Sequence, residues 1–178
     1  MSGLSLIQNR AIRRLFANQC LSKVALAINA ASAATIKTTG TTTYAIEGIA
    51  YSKAALAAQS FAVTHSFQGG SVALQTEAQA YVQPQQTTVV YVVALDAAGN
   101  VAIIQGSYAG QQITFPLDIS KVITGVGGVP FVATTMVPIG AVKITTAAAT
   151  TFTPGTTALD AAGITAVYTD IIVLPETL

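Results

Sequence analysis

Thr87-Thr-Val-Val-Tyr-Val-Val-Ala-Leu95, then Asp96-Ala-Ala-Gly-Asn100, then Val101-Ala-Ile-Ile-Gln105 form the stretch that decides the fold class. Both flanks are rich in β-branched and aromatic residues, which pack well on a pleated surface. The five residues between them include Asp, Gly and Asn. Asp and Asn side chains hydrogen-bond nearby backbone, and Gly takes positive φ without a Cβ penalty. The stretch reads as two antiparallel strands joined by a five-residue loop.

The same punctuation continues in both directions. Residues 35–39 and 41–46 flank Gly40, and residues 131–137, 141–146 and 166–174 are further runs of Thr, Val, Ile and Tyr. Pro84, Pro116, Pro130, Pro138, Pro154 and Pro175 fall between runs or at their edges, where a missing N–H costs no ladder bond. Before Thr35 the texture differs. Leu4, Ile7, Ala11 and Leu15, with Ile12 and Phe16, recur at spacings of three and four, and Arg10, Arg13 and Arg14 gather on the opposite face. Leu21, Val24 and Ile28 continue the apolar stripe. The expected fold is therefore mainly β: a β-sandwich or barrel-like domain over residues 35–178, with an N-terminal amphipathic helical arm over residues 1–34.

Composition narrows the function. The chain has 178 residues, of which 52% are hydrophobic and 8% charged, and its net charge is +1. A typical soluble domain is about 25% charged. Polarity comes instead from 24 Thr and 12 Gln, while 32 Ala swell the apolar fraction. Such a chain is too hydrophobic to be disordered. It is also too weakly basic to be a general nucleic-acid binder. A surface this poor in charge is a colloidal hazard for a free monomer, so much of it is expected to face other protein. The charge is unevenly spread. Six basic residues and one acid lie at or before Lys53, with two basic residues and six acids beyond it, an asymmetry suited to head-to-tail or arm-to-neighbour contacts. No apolar run reaches eighteen residues, so no membrane span is expected. Basic residues followed by residues 24–34 imitate a signal peptide, but the basic region is too long and Asn29 interrupts the apolar run.

No constellation for catalysis is evident. The single histidine, His65, shares an alternating face with Phe61, Val63 and Phe67, the setting of a packed or edge residue. The single cysteine, Cys20, rules out an intrachain disulfide. Together they are too few for a zinc quartet or a nucleophile with its base. The seven acids, Glu47, Glu77, Asp96, Asp118, Asp160, Asp170 and Glu176, are scattered along the chain, and Asp96 stands where a turn wants Asp. Gly125-Val-Gly-Gly128 lacks the spacing and the Lys-Ser/Thr of a phosphate loop, and reads as a turn. The hexapeptide Ala-Leu-Asp-Ala-Ala-Gly occurs at 94–99 and again at 158–163. Its contexts differ, the second copy being suited to one helical turn capped by Thr156 or Thr157, and a coincidence in an Ala-rich chain explains it better than a repeat. Neither an enzyme nor a cofactor is expected.

Several phrases carry a resemblance. Tyr44-Ala-Ile-Glu-Gly-Ile-Ala-Tyr-Ser-Lys-Ala54, Val92-Val-Ala-Leu-Asp-Ala-Ala-Gly-Asn-Val-Ala-Ile-Ile-Gln-Gly106, Pro138-Ile-Gly-Ala-Val-Lys-Ile144 and Phe152-Thr-Pro-Gly-Thr-Thr-Ala-Leu-Asp-Ala-Ala-Gly-Ile164 together resemble virion structural proteins of tailed bacteriophages. Within that group they are most similar to small head decoration, or cement, proteins. The resemblance implies a protein made in the bacterial host cytoplasm and placed on the capsid exterior. It implies two partners, the major capsid protein and further copies of the chain itself, with a homotrimer favoured. It supplies no catalytic, cofactor or metal residues. The expected partner-binding residues come from the arm: Leu4, Ile7, Leu15 and Phe16 anchor it in a neighbour, and Arg10, Arg13 and Arg14 set its register. A tail, baseplate or head-fibre attachment protein is the alternative. A soluble ligand- or carbohydrate-binding β module is the alternative of another class, weakened by the absence of Trp.

Overall fold

A computed structural model of the chain describes residues 18–64, 82–106, 132 and 135–172. Among them there are ten strands and no helix. All pairings are antiparallel, and the strands form three sheets.

The central sheet is built on the expected hairpin. β7 (Thr88–Asp96) pairs with β8 (Val101–Gln105) on one side and β9 (Met136–Thr146) on the other, and β10 (Ile164–Asp170) completes the order β10-β9-β7-β8. The loop forms as its residues require. Asn100 N–H and Nδ2 donate to the two Asp96 carboxylate oxygens at 2.8 and 2.9 Å, and Gly99 takes φ +79°. β7 is buried on both faces. Val89, Tyr91, Val93 and Leu95 enter the main core, while Ala94 packs on the opposite face with Ala102 and Ile104. A strand covered on both sides reads as a continuous apolar run, which is why residues 89–95 show no polar alternation.

β9 departs from expectation at Pro138, which lies inside the strand. Between Val93 and Ala94 of β7 the partner moves from Gly140 to Pro138, so Ile139 is an extra residue. A bulge is one of the few sheet positions that tolerates proline. It also shifts the alternation, so that Val137 and the bulged Ile139, and Val142 and Ile144 after it, all reach the main core.

β4 (Thr42–Ile46) and β5 (Ile49–Lys53) form a hairpin closed by Glu47-Gly48, with φ of +50° and +78°, the two positive values of a type I′ turn. β1 (Gln19–Cys20) pairs with the other side of β4. β2 (Ala27–Ile28), β3 (Thr35–Lys37) and β6 (Gln59–Ser60) make the third, short sheet. One core unites the three. Cys20, Tyr44 and Ile46 enter it from the first sheet, Ile36 from the third, and the β7 and β9 residues from the second. Tyr44 hydroxyl donates to the Asp96 carbonyl at 2.8 Å and so ties the β4–β5 hairpin to the β7–β8 turn. Phe61, Tyr91 and Phe152 form an aromatic triangle with centroids 5.3–6.2 Å apart.

Residues 18–34, assigned to the helical arm on sequence grounds, belong to this β-rich body. Val24 and Leu26 are buried, Ala25 between them is exposed, and the local period is two rather than 3.6. Two acids from the far end of the chain hold the segment. Asp170 accepts from Ala25 N–H and Leu26 N–H, both at 2.9 Å, and both Asp160 oxygens accept from Ser32 N–H at 2.9 and 3.0 Å. Ala25 and Ser32 take positive φ, a conformation that aims their amides away from any regular ladder. Each hydrogen bond to a charged acceptor contributes roughly 1.5–3 kcal/mol, enough to outweigh the modest helix preference of Ala. Residues 1–17, the rest of the expected arm, lie outside the described residues. No helix forms over residues 158–163, the turn expected to be capped by Thr156 or Thr157. Thr157 instead faces backwards, its N–H donating to the Thr153 carbonyl at 2.8 Å and its Oγ1 accepting from Thr153 N–H at 3.0 Å.

Candidate interaction surface

The described polar side chains hold the fold together. Gln83 is fully buried, donates through Nε2 to the Thr87 and Ile144 carbonyls at 3.0 Å, and accepts from Tyr91 hydroxyl at 3.2 Å. Gln105 Nε2 donates to that same hydroxyl at 3.3 Å. No buried side-chain nitrogen or oxygen among the described residues lacks a partner. Cys20 is buried, and its thiol donates to the Ser22 carbonyl at 3.2 Å. Burial pushes the thiol pKa up, the Ser22 hydrogen bond offsets part of that, and the Asp170 charge adds to it. A thiol held protonated is a poor nucleophile. Asp96, Asp160 and Asp170 each spend their carboxylate on backbone amides or on Asn100. Among the described residues no three His, Cys, Asp or Glu side chains group as a metal site would require.

The described residues also present an exposed surface. The outer face of the central sheet, away from the main core, changes character across its width. At β7 and β8 it is buried, with Val90 3% and Val92 1% exposed, beside Ala94, Ala102 and Ile104. At β10 it opens: Thr165, Val167 and Thr169 are exposed, Val167 to 45%. The pairing brings Thr165 beside Thr145 and Thr88, whose hydroxyls lie 3.1 Å apart, and Val167 beside Lys143. The open half is therefore a row of Thr and Val with one cation. The inner face of the same strand is closed, with Ile164 buried and Ala166 and Tyr168 packed against the core. Burial, and secondarily the Asp160 charge, push the Tyr168 hydroxyl on that inner face up to about 12.

Strand edges differ in the same way. β8 is capped: Thr64 N–H donates to the Ile103 carbonyl and Ile103 N–H donates to Thr64 Oγ1, both at 2.9 Å. β5 forms the edge of its sheet, with Ile49, Ala50 and Ser52 exposed and Ile49 at 52%. β10 forms the edge of the central sheet.

Of the residues expected to bind a partner, Leu4, Ile7, Arg10, Arg13, Arg14, Leu15 and Phe16 all lie outside the described residues, as do His65 and Gly125–Gly128. The β10 surface was missed as a site, although its strand was expected. The available signal was the alternation Thr165, Val167, Thr169 against Ile164, Ala166, Tyr168. No helix among the described residues is long and apolar enough to cross a membrane. Comparisons with protein-family models, with curated proteins and with solved structures yield no match to this chain.

Proposed function

We propose that the chain is a structural virion protein of a tailed phage that binds the outside of the capsid and stabilises contacts between major capsid subunits. In this reading the three sheets form a sandwich- or barrel-like body, and the residues before Asn18 form a helical arm. Leu4, Ile7, Leu15 and Phe16 seat that arm in a neighbour, and Arg10, Arg13 and Arg14 orient it. The protein assembles with itself, a trimer being favoured, and needs no cofactor.

One observation carries the reading: a chain with 8% charged residues presents an open Thr/Val face on a sheet whose described buried side-chain polar atoms are all hydrogen-bonded. Such a face suits burial against protein. Apolar area lost there contributes about 25 cal/mol per Å² before association costs, and repetition over a shell multiplies weak contacts into avidity. The test is co-sedimentation of the purified protein with undecorated capsid shells, scored by copies bound. Hundreds per shell are expected, with loss of binding when residues 1–17 are deleted. The deletion stops there because Cys20, Val24 and Leu26 are core. A few to dozens of copies would move the protein to the tail or baseplate, and no binding would sink the reading.

A further inference from the structure

The β10 edge has a hydrogen-bonding pattern that matches itself. Ala147 N–H donates to the Gly163 carbonyl at 2.8 Å and Ile171 N–H to the Ile139 carbonyl at 3.1 Å. These bonds set the alternation in the β9–β10 ladder. Thr165, Val167 and Thr169 exchange hydrogen bonds with β9, while Ala166 and Tyr168 turn their N–H and C=O groups away from it. Among the described residues those outward backbone groups have no partner. Natural edge strands are normally blunted by lysine, proline, a bulge or a covering segment. β8 has its Thr64 cap, whereas β10 runs seven residues, Ile164–Asp170, in unbroken register and, among the described residues, has none of these devices.

We propose that β10 is a self-association edge: two copies pair their β10 strands antiparallel about a two-fold axis through Val167. In that register Val167 faces the second copy's Val167, Thr165 its Thr169, Ala166 its Tyr168, and Ile164 its Asp170. Ala166 and Tyr168 form the hydrogen-bonded pairs, so the free groups of one copy meet those of the other. On the outer face every opposed pair is β-branched against β-branched, the favourable combination for cross-strand packing. Charge permits the contact as well. Asp170 is already bound to Ala25 and Leu26 amides on the inner side. The two Lys143 residues, on the β9 strands, stand three strand spacings apart, about 14 Å, beyond the physiological Debye length of about 8 Å. The result is one eight-stranded sheet across two chains, the isologous geometry of most homodimers.

The contact needs only the chain and forms with or without a capsid, so it stands or falls separately from the shell-binding reading. Being two-fold, it joins copies in pairs and is a different contact from the one that would close a trimer. The test is cysteine cross-linking of the full chain with sedimentation as a second measure. Val167→Cys places its thiol on the axis in a non-hydrogen-bonded pair, where Cα atoms lie about 4.5 Å apart, within disulfide range. Oxidation is expected to give a covalent dimer from Val167→Cys and none from Thr165→Cys, whose own copy lies four residues away along the strand. Val167→Lys and Ala166→Pro are expected to weaken the native dimer about tenfold or more, by like charges set face to face and by lost edge hydrogen bonds. Both leave the β9 ladder intact, because Val167 is exposed and Ala166 N–H faces outward; unchanged circular dichroism checks this. A monomer at all concentrations would overturn the proposal. So would a trimer, or any oligomer, that cross-links equally at 165 and 167 or ignores the two edge variants.

Discussion

Residues 94–99 and 158–163 are the same six amino acids, and the molecule uses them differently. In both copies the Leu is buried, at 0% for Leu95 and 1% for Leu159, and the Gly has positive φ, +79° and +80°. In both, the Asp carboxylate accepts backbone N–H groups. The partners differ. Asp96 closes its own loop through Asn100, four residues on, whereas Asp160 reaches Ser32, 128 residues away in sequence. The first copy lies between two paired strands, so the nearest orphan amides are its own. The second lies at the end of the long connection from β9 and leads directly into β10, and its carboxylate finds the Ser32 amide of the segment packed beside it. Identical local chemistry thus stores local order once and long-range order once. The surrounding pairing decides which.

The largest contrast lies in the leucines. Leu95 sits in β7 between β8 and β9, while Leu159 sits in a turn whose N–H donates to the Ala33 carbonyl at 3.0 Å. A site walled by paired strands relaxes less around a cavity than one in a turn. Leu95→Ala is therefore expected to cost about 3–5 kcal/mol and Leu159→Ala about 2–4 kcal/mol in denaturant unfolding. The reverse order would break the idea that the turn copy is the more yielding.

Next come the glycines. A Cβ on Gly163 would overlap Thr150 Oγ1 and stand 3.2 Å from Thr150 Cβ, whereas one on Gly99 meets only the flexible Lys53 chain at 3.1 Å. Both changes place an L-residue at positive φ, worth roughly 1–2 kcal/mol. Gly163→Ala should cost about 2–3 kcal/mol in all, with overpacking adding to the backbone strain, and Gly99→Ala only the backbone share. Adding Thr150→Ala to Gly163→Ala should remove most of the difference between the two glycines. Failure of that rescue would mean the clash is not the cause.

The two copies also mark how far the sequence could be read. The hairpin around residues 94–99 was legible because its turn residues and flanking β-branched runs agree within nineteen residues. The β4–β5 hairpin was not, because Glu47 holds a position that normally calls for Asn, Asp or Gly. Strands as short as Gln19–Cys20, Ala27–Ile28 and Gln59–Ser60 leave no periodicity, since two residues show no repeat and their pairing partners impose them. Residues 18–31 satisfied a helical spacing through Leu21, Val24 and Ile28, yet Val24 and Leu26 bury as a strand would. The carboxylates of Asp160 and Asp170 hold them so, and no local signal announces those partners. The open β10 face was implicit in the alternation of residues 164–169. Recognising it as an edge required knowing that β10 pairs only with β9.

The smallest effect separates the two carboxylates by reach. Burial opposes ionisation of Asp96, but hydrogen bonds from the Asn100 side chain and from the Asn100, Ala98 and Gly99 backbone outweigh it, and its pKa falls below the ordinary Asp value. A carboxyl with a lowered folded pKa adds stability above its unfolded pKa of about 3.9 and loses it as pH falls through the folded value. The stability gap between the native chain and Asp96→Asn should therefore be constant above about pH 5, shrink below about pH 4 and vanish at the acid end. Urea midpoints measured across that range check it, and a gap that widens on acidification would have the wrong sign. Asp160→Asn should show itself elsewhere. Amide exchange at neutral pH should quicken at Ser32 and its neighbours, because one local opening frees them, while the residues of the β7–β8 hairpin keep their protection. Equal acceleration in the hairpin would show that the distant carboxylate supports the whole fold, and the division between a local and a long-range copy would fail.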